Sequence, residues 1–445
     1  MYPDETSRSA QLFRRAKASI PGALSRNSVY FPPYPVYVAE AKDCRIVDVD
    51  GNERIDFVNN MTSIIAGHSH PAVVRAVQEQ AARMMGMAMP TEIEIELAEL
   101  ICSRVPGVEQ IRFANSGTEG VQWAIRAARG YRNRSKIARA EGAYHGAIDC
   151  METSQARQNP DTWGPADRPA TTLNHRGIPP NVRDDVITIP YNDVEATRAI
   201  LEENADDLAA VIVDPLTGMM AYAQASTEYL QMLRDFADAT GVLLIYDEVM
   251  SFRVGYSGAQ GWVGILPDLA AFGKVMGGGL PIGGVGGRKR FMEVFDRDSG
   301  NYQVPHSGTY NANPMSMAAG HAALSVMSRE RFDHIGRLGD RLRAGFRDVL
   351  ATLGVPGCVQ GAGSMTFMRF GHDGPIDNFR DMVALPNDMQ TAFDLHYYLL
   401  NHGIQSVEAI VWILNQTMTE KEIDFAIEQV TAGLKSVRSK ARATA

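Results

Sequence analysis

Between positions 111 and 273 short apolar runs alternate with stretches of helical period. Ile111-Arg112-Phe113-Ala114-Asn115 leads into a helical stretch over 117–131, and Lys136 to Glu141, Val186 to Pro190, Leu208 to Asp214, Val242 to Asp247 and Leu269 to Gly273 each read as strands. Helical stretches near 194–204 and 226–240 separate the later runs. This alternation predicts an α/β domain with a mostly parallel sheet and helices on both of its faces. The flanks read differently. The first sixty residues carry a strand pair, Val36 to Ala39 and Arg45 to Val49, followed by the turn Asp50-Gly51-Asn52. The region after about 325 is helical, with long helices including 311–328 and 387–401. A last helix opens on the capping-box pattern Thr419-Glu420-Lys421-Glu422. Residues 1–60 and 325–445 are therefore expected to form one small α+β domain from both chain ends, and 61–324 the large domain.

The run from Met151 to Arg183 breaks the alternation. It is rich in Pro, Asn, Asp and Arg and has little periodicity, and a connection this long is usually functional or mobile. Charge and composition narrow the partners. A net charge of -9, from 43 Lys+Arg against 52 Asp+Glu, argues against nucleic acid or an anionic membrane. Cys44, Cys102, Cys150 and Cys358 are widely spaced and form no CxxC pair, so neither a zinc site nor a disulfide framework is expected. The N-terminus lacks a basic-then-apolar leader and no run of about 18 apolar residues occurs, which leads to the expectation of a cytoplasmic protein without a metal.

Candidate chemistry lies where apolar runs end. Val242 to Tyr246 runs into Asp247, at the carboxyl end of a buried parallel strand, where open α/β sheets bind ligands. Taken alone, Asp247 is equally a helix cap. Lys274 follows the next run and precedes Gly277-Gly278-Gly279. A desolvated lysine with positive charge nearby has a lowered pKa and is a better nucleophile. Alone it reads as a surface lysine in a glycine turn, but strand-acid followed by strand-lysine-GGG is far more specific. Ser116, Gly117 and Thr118, between a strand and a helix, offer N–H groups and hydroxyls to a phosphate, or simply cap the helix. In Gly142-Ala143-Tyr144-His145-Gly146, Tyr144 can lay its ring on a flat heterocycle. His145 reads first as a hydrogen-bonded loop residue and second as a proton carrier. Thr309, in His306-Ser307-Gly308-Thr309-Tyr310-Asn311, offers either phosphate contacts or the start of a helix.

Taken in order, Asp48-Val49-Asp50-Gly51, Gly67-His68-Ser69-His70-Pro71, NSGTE at 115–119, YHG at 144–146, DEVM at 247–250, GKVMGGGLPIGG at 273–284 and NPMSMAAG at 313–320 resemble class III aminotransferases. The resemblance covers roughly 10–435 and lies in the branch that holds glutamate-semialdehyde aminomutase and β-amino-acid aminotransferases. It implies fold type I and pyridoxal 5′-phosphate (PLP), with a large PLP-binding domain, a small domain, and a homodimer whose active sites lie at the interface. It implies that Lys274 carries PLP as a Schiff base, that Asp247 bonds the pyridinium nitrogen, and that Ser116, Gly117 and Thr118 hold the phosphate. Tyr144 and Val249 would cover the two ring faces, and Thr309 would reach the phosphate of the neighbouring subunit. Lys274, once displaced by substrate amine, would move the substrate proton, leaving pyridoxamine phosphate for a carbonyl acceptor. A relative that binds without turnover is expected to have lost Lys274, Asp247 or the phosphate cradle, and all are present.

Two positions bear on the substrate. In the aminomutase a carboxylate-binding arginine lies three residues beyond the position of Arg26, where this chain has Val29. β-Amino-acid aminotransferases resemble this chain in having an arginine at the Arg26 position. An arginine there suits a bidentate carboxylate contact or a surface ion pair. Those enzymes also carry an arginine near Glu408, where this chain, like the aminomutase, has an acid. The pattern leads to an aminotransferase that moves an amino group from a β-amino acid or simple amine to a keto acid such as pyruvate. The alternative is the intramolecular amino transfer of the aminomutase, whose mobile lid the segment 151–183 resembles.

Overall fold

The computed structural model describes residues 2–155 and 159–444; positions 156–158 of the long connection lie outside the described residues. The chain forms two compact units, one of Met1–His70, His334–Pro375 and Pro386–Ala445, the other of Pro71–Asp333 and Ile376–Leu385.

The second unit is built on a seven-stranded sheet. Its strands lie in the order Gln110–Ala114, Gly283–Gly287, Leu269–Gly273, Leu243–Asp247, Leu208–Val213, Lys136–Ala140, Val186–Ile189. The last five run parallel, and the strands 208–213, 243–247 and 269–273, the most apolar of them, are buried along their whole length. The helices between them start where the side chain of Ser116, Asp193 or Ser226 accepts an orphan N–H of the first turn. Two of them stop at a left-handed residue, Asn133 or Gly241.

The strand Gly283–Gly287 was not expected. Its sequence GGVGG has no alternation and low strand propensity. It pairs antiparallel with both neighbours and is fully buried. The glycines are there for closeness: a Cβ on Gly283 would stand 1.8 Å from the carbonyl oxygen of Ser116. The helix expected from 311 begins instead at Pro314. Pro314 lacks an N–H and is tolerated at the first helical position, while Asn313 caps the helix by accepting from the N–H groups of Met315 and Ser316.

The first unit holds two small sheets. Val38–Lys42, Arg45–Asp48 and Glu53–Asp56 form an antiparallel meander, joined by Ile404–Gln405 parallel to the third strand. The first strand lies two residues later than expected because the tight turn at Asp43, which has φ 54°, pairs Lys42 with Arg45. Gly357–Ala362, Met365–Phe370 and Val411–Ile413 form the other sheet, antiparallel throughout. Phe57 and Phe346 stand edge-on to Trp412 at 5.2 and 4.9 Å in the core of this unit. The last helix, Glu420–Thr444, is capped as its sequence predicts: Glu422 accepts from the N–H of Thr419 at 2.9 Å and from its hydroxyl at 2.7 Å.

Candidate active site

Register brings the chemistry of the second unit to one edge of its sheet. Asp247 ends its strand opposite Ala271, so Lys274 emerges three residues further along the neighbouring strand. On the other side Val213 pairs with Tyr246, which sets Asp214 beside Asp247. Neighbouring strands are about 4.8 Å apart, so three ionisable side chains share the carboxyl ends of three adjacent strands. Lys274 adopts a left-handed backbone conformation, with φ 49°. Burial pushes its amine below the usual lysine range; Asp247 and Asp214 oppose that shift and Arg253 adds to it.

Asp247 is buried and well supplied with donors. Its Oδ2 lies 2.8 Å from Nδ1 of His145, and its Oδ1 accepts the N–H of Val249 at 3.0 Å. Burial holds His145 below the usual imidazole range although the hydrogen bond to Asp247 works the other way. The ring is therefore neutral near pH 7 with its proton on Nδ1, which donates to the carboxylate. Its other nitrogen, Nε2, is buried without a partner. The loop-residue reading of His145 thus holds in part: it is a hydrogen-bonded loop residue whose partner is the strand-end acid.

Ser116 caps the helix Gly117–Arg132, its Oγ accepting the N–H of Glu119 at 3.1 Å. The N–H groups of Gly117 and Thr118 lie in the first turn, where no intrahelical acceptor exists. Val249 packs on this turn. A Cβ on Gly117 would come within 2.5 and 2.8 Å of its two γ carbons. The Thr118 hydroxyl accepts the N–H of Ala147 at 3.3 Å, which ties the YHG loop to the same helix start. Tyr144 itself is 50% exposed.

Thr309 is exposed on the loop before Pro314, and that loop is wired to the NSGTE turn. Asn115 Nδ2 donates to Asn311 Oδ1 at 2.9 Å, Asn311 Nδ2 lies 3.2 Å from His306 Nε2, and Arg112 Nε donates to His306 Nδ1 at 2.9 Å. Arg26 and Glu408 belong to the first unit. Arg26 is exposed and its Nη1 donates to Asn60 Oδ1 at 2.8 Å. Glu408 is half-buried with φ 52°, and burial raises its carboxyl above the usual range.

Besides the His145–Asp247 bond, two partnerships were missed in the sequence. Asp214 ends an apolar run just as Asp247 does, and that shared pattern was its available signal. Arg380 forms a two-pronged ion pair with buried Glu141, both contacts at 2.8 Å, and donates to the carbonyls of Trp163 and Gly164. It thereby fastens described residues of the long connection to the foot of the YHG loop. Thr153 and Leu173 form a bridge, and Asn174 accepts the N–H of Gln155 at 3.0 Å. With 239 residues between Arg380 and Glu141, no local pattern announces the pair.

A lysine amine and a carboxylate at adjacent strand ends, beside a helix N-terminus stripped of side chain at Gly117, suit a flat cationic ring that carries a phosphate. No cluster of three or more His, Cys, Asp or Glu able to hold a metal occurs among the described residues. Nor is any helix among them long and apolar enough to cross a membrane.

The chain is similar to known proteins along almost its whole length. A family profile described as aminotransferase class III matches residues 27–405. A protein of Halalkalibacterium halodurans named glutamate-1-semialdehyde 2,1-aminomutase 2 is 37% identical over 437 residues, which cover 97% of this chain and 99% of that protein. Among solved structures, an omega-transaminase from Sphaerobacter thermophilus is 41% identical with a TM-score of 0.93, covering 98% of this chain and 99% of its own. A β-phenylalanine aminotransferase from Variovorax paradoxus is 32% identical with a TM-score of 0.86, covering 97% and 94%.

Proposed function

Since the chain belongs to the class III aminotransferases, and is thus a PLP-dependent transaminase, we propose that it moves an amino group from a β-amino acid or simple amine to a keto acid such as pyruvate. The observation that carries this reading is the 41% identity to an omega-transaminase over nearly the whole of both chains. The β-phenylalanine enzyme at 32% supports a β-amino acid as donor.

Bound PLP supplies a protonated ring that stabilises negative charge on the carbon losing a proton. The protein's residues do the rest. Lys274 would hold the cofactor covalently and, as a free amine, would take the substrate proton as base and return it as acid. Its burial favours the free amine that this task needs. Asp247, with a carboxylate charge held by His145 and Val249, keeps the ring nitrogen protonated. Ser116, Gly117 and Thr118 bind the phosphate at the helix start. Val249 and Tyr144 would flank the ring.

Thr309 reaches the phosphate of a second copy of the chain. Support for such a homodimer is an exposed apolar segment: Met85, Met87 and Met89 are all exposed, as is Tyr310, and Asn313 donates to the carbonyl of Met85 at 3.1 Å beside the Thr309 loop. Arg26 forks onto the substrate carboxylate, and Glu408 disfavours a second carboxylate on its side. A reducing compartment such as the cytoplasm suits the four free cysteines.

The second reading is intramolecular amino transfer on glutamate semialdehyde, favoured by the relative that bears the aminomutase name. One experiment separates the two. The PLP-loaded protein is mixed in turn with a β-aryl β-amino acid, a carboxylate-free aryl amine and diaminopentanoate, and conversion to the pyridoxamine form is followed by absorbance. Conversion by either of the first two is the expected result. Conversion by diaminopentanoate alone would replace the leading reading with the second.

A further inference from the structure

Two carboxyl groups, not one, stand at the strand ends next to Lys274. Asp214 and Asp247 are neighbours across the parallel register and both are buried. Like charges this close, away from water, do not both persist, and one of the two groups keeps a proton. Their surroundings decide which. Asp247 receives the imidazole N–H of His145 at 2.8 Å and the N–H of Val249 at 3.0 Å. Asp214 Oδ1 receives the N–H of Leu216 at 3.1 Å, and its side chain also interacts with the hydroxyl of Ser251. Asp247 thus accepts two N–H groups and Asp214 one, so the negative charge settles on Asp247.

The other groups around Asp214 do not reverse this. Tyr191 donates its hydroxyl to the backbone carbonyl of Asp214 at 2.9 Å, not to its carboxyl. Tyr222 lies within electrostatic reach of both Asp214 and Arg253. Arg253 is buried, and its charge acts on Tyr222 and Lys274. Lys274 pulls the other way on Asp214, and it is outweighed by burial and by Asp247, which together drive the Asp214 carboxyl well above the usual range.

We propose that Asp214 is a positioning residue that holds a proton beside Lys274, so that the lysine faces one carboxylate, Asp247, and not two. A second anion would hold a proton on the Lys274 nitrogen more tightly and so oppose its work as a base. The neutral acid fills the same place and adds a hydrogen-bond donor without that charge. On loss of the Asp214 proton the second anion appears.

This inference rests on the reading of Lys274 and Asp247 as cofactor residues. A failure of that reading would be seen separately, as cofactor bound covalently elsewhere in the wild-type chain. The test is a pH titration of the absorbance of the Lys274-linked cofactor in full-length holoprotein. In the wild type the linkage is expected to titrate beside one carboxylate, that of Asp247. Asp214→Asn, isosteric and uncharged, is expected to alter the proton affinity of the linkage less than about threefold. Asp247→Asn is expected to alter it about tenfold or more, since one pH unit is a factor of ten. A shift in Asp214→Asn as large as that in Asp247→Asn would show that Asp214 is an anion and overturn the proposal. Should the Asn variant not fold, infrared spectra of the wild type at neutral pH, with and without carbon-13 aspartate, decide the matter. A protonated carboxyl band that shifts with carbon-13 aspartate supports the proposal, and no such band overturns it.

Discussion

Nδ1 of His145 stands 2.8 Å from Oδ2 of Asp247, a contact between residues 102 positions apart that is closed to solvent on both sides. Such a bond to a charged group contributes about 1.5–3 kcal/mol. His145→Phe keeps the ring volume but removes the donor, and is expected to lower kcat/KM roughly 10- to 100-fold, the equivalent of that energy. His145→Asn, which retains an N–H, is expected to recover part of the loss. Steady-state kinetics on PLP-saturated protein check this. Full activity in the Phe variant would reduce the pair to packing.

Gly117 and Val249 are expected to behave as one unit. Gly117→Ala places a methyl group within 2.5 Å of a Val249 γ carbon, and overpacking of that kind costs about 1–3 kcal/mol. Val249→Ala opens the same space. The double variant is therefore expected to be less destabilised than the sum of the two single ones, by about 1 kcal/mol or more. Urea midpoints give the cycle, and PLP titration shows whether affinity follows. Strict additivity would mean that the helix start moves aside freely.

The sheet was legible where each strand is a closed apolar run, and so were Asp247 and Lys274, because the run before each one ends in a residue of the opposite character. Gly283–Gly287 was not, since its residues were shaped by the Ser116 carbonyl behind them and not by strand propensity. The start at Pro314 was legible in principle from proline chemistry, but the polar run before it masked the boundary. His145 and Arg380 lay out of reach for a different reason: their partners Asp247 and Glu141 become neighbours only once distant segments have folded together.

His396 makes acid sensitivity measurable in the first unit. Both ring nitrogens are buried without partners and the ring stands edge-on to Phe31 at 4.8 Å. Burial, aided by the charge of Arg54, lowers its pKa from 6.5 to about 4. The unfolded chain thus binds the proton first as pH falls. The contribution is fully present above about pH 6.5 and is lost between there and about pH 4, with an upper bound of about 3 kcal/mol. His396→Phe is expected to leave stability at pH 7.5 unchanged or higher and to reduce the loss between pH 7 and 5. Urea denaturation at both pH values checks it. An unaltered pH dependence would show that His396 is not the group that titrates.

Arg26 separates substrates if it forks onto a carboxylate. Arg26→Ala is expected to lower kcat/KM for a β-amino acid roughly tenfold or more, the scale of one charge-assisted contact, and to leave a carboxylate-free amine nearly unaffected. Equal losses on both would assign Arg26 to structure, through its contact with Asn60.

The central claim is that Lys274 carries the cofactor, and borohydride reduction followed by peptide mass mapping tests it most directly. The holoprotein is reduced, digested and searched for the pyridoxyl adduct. The expected result is an adduct on Lys274 alone, with none formed in Lys274→Ala, which also loses turnover while still binding PLP noncovalently. An adduct on another lysine in the wild type, or full turnover in Lys274→Ala, would contradict it.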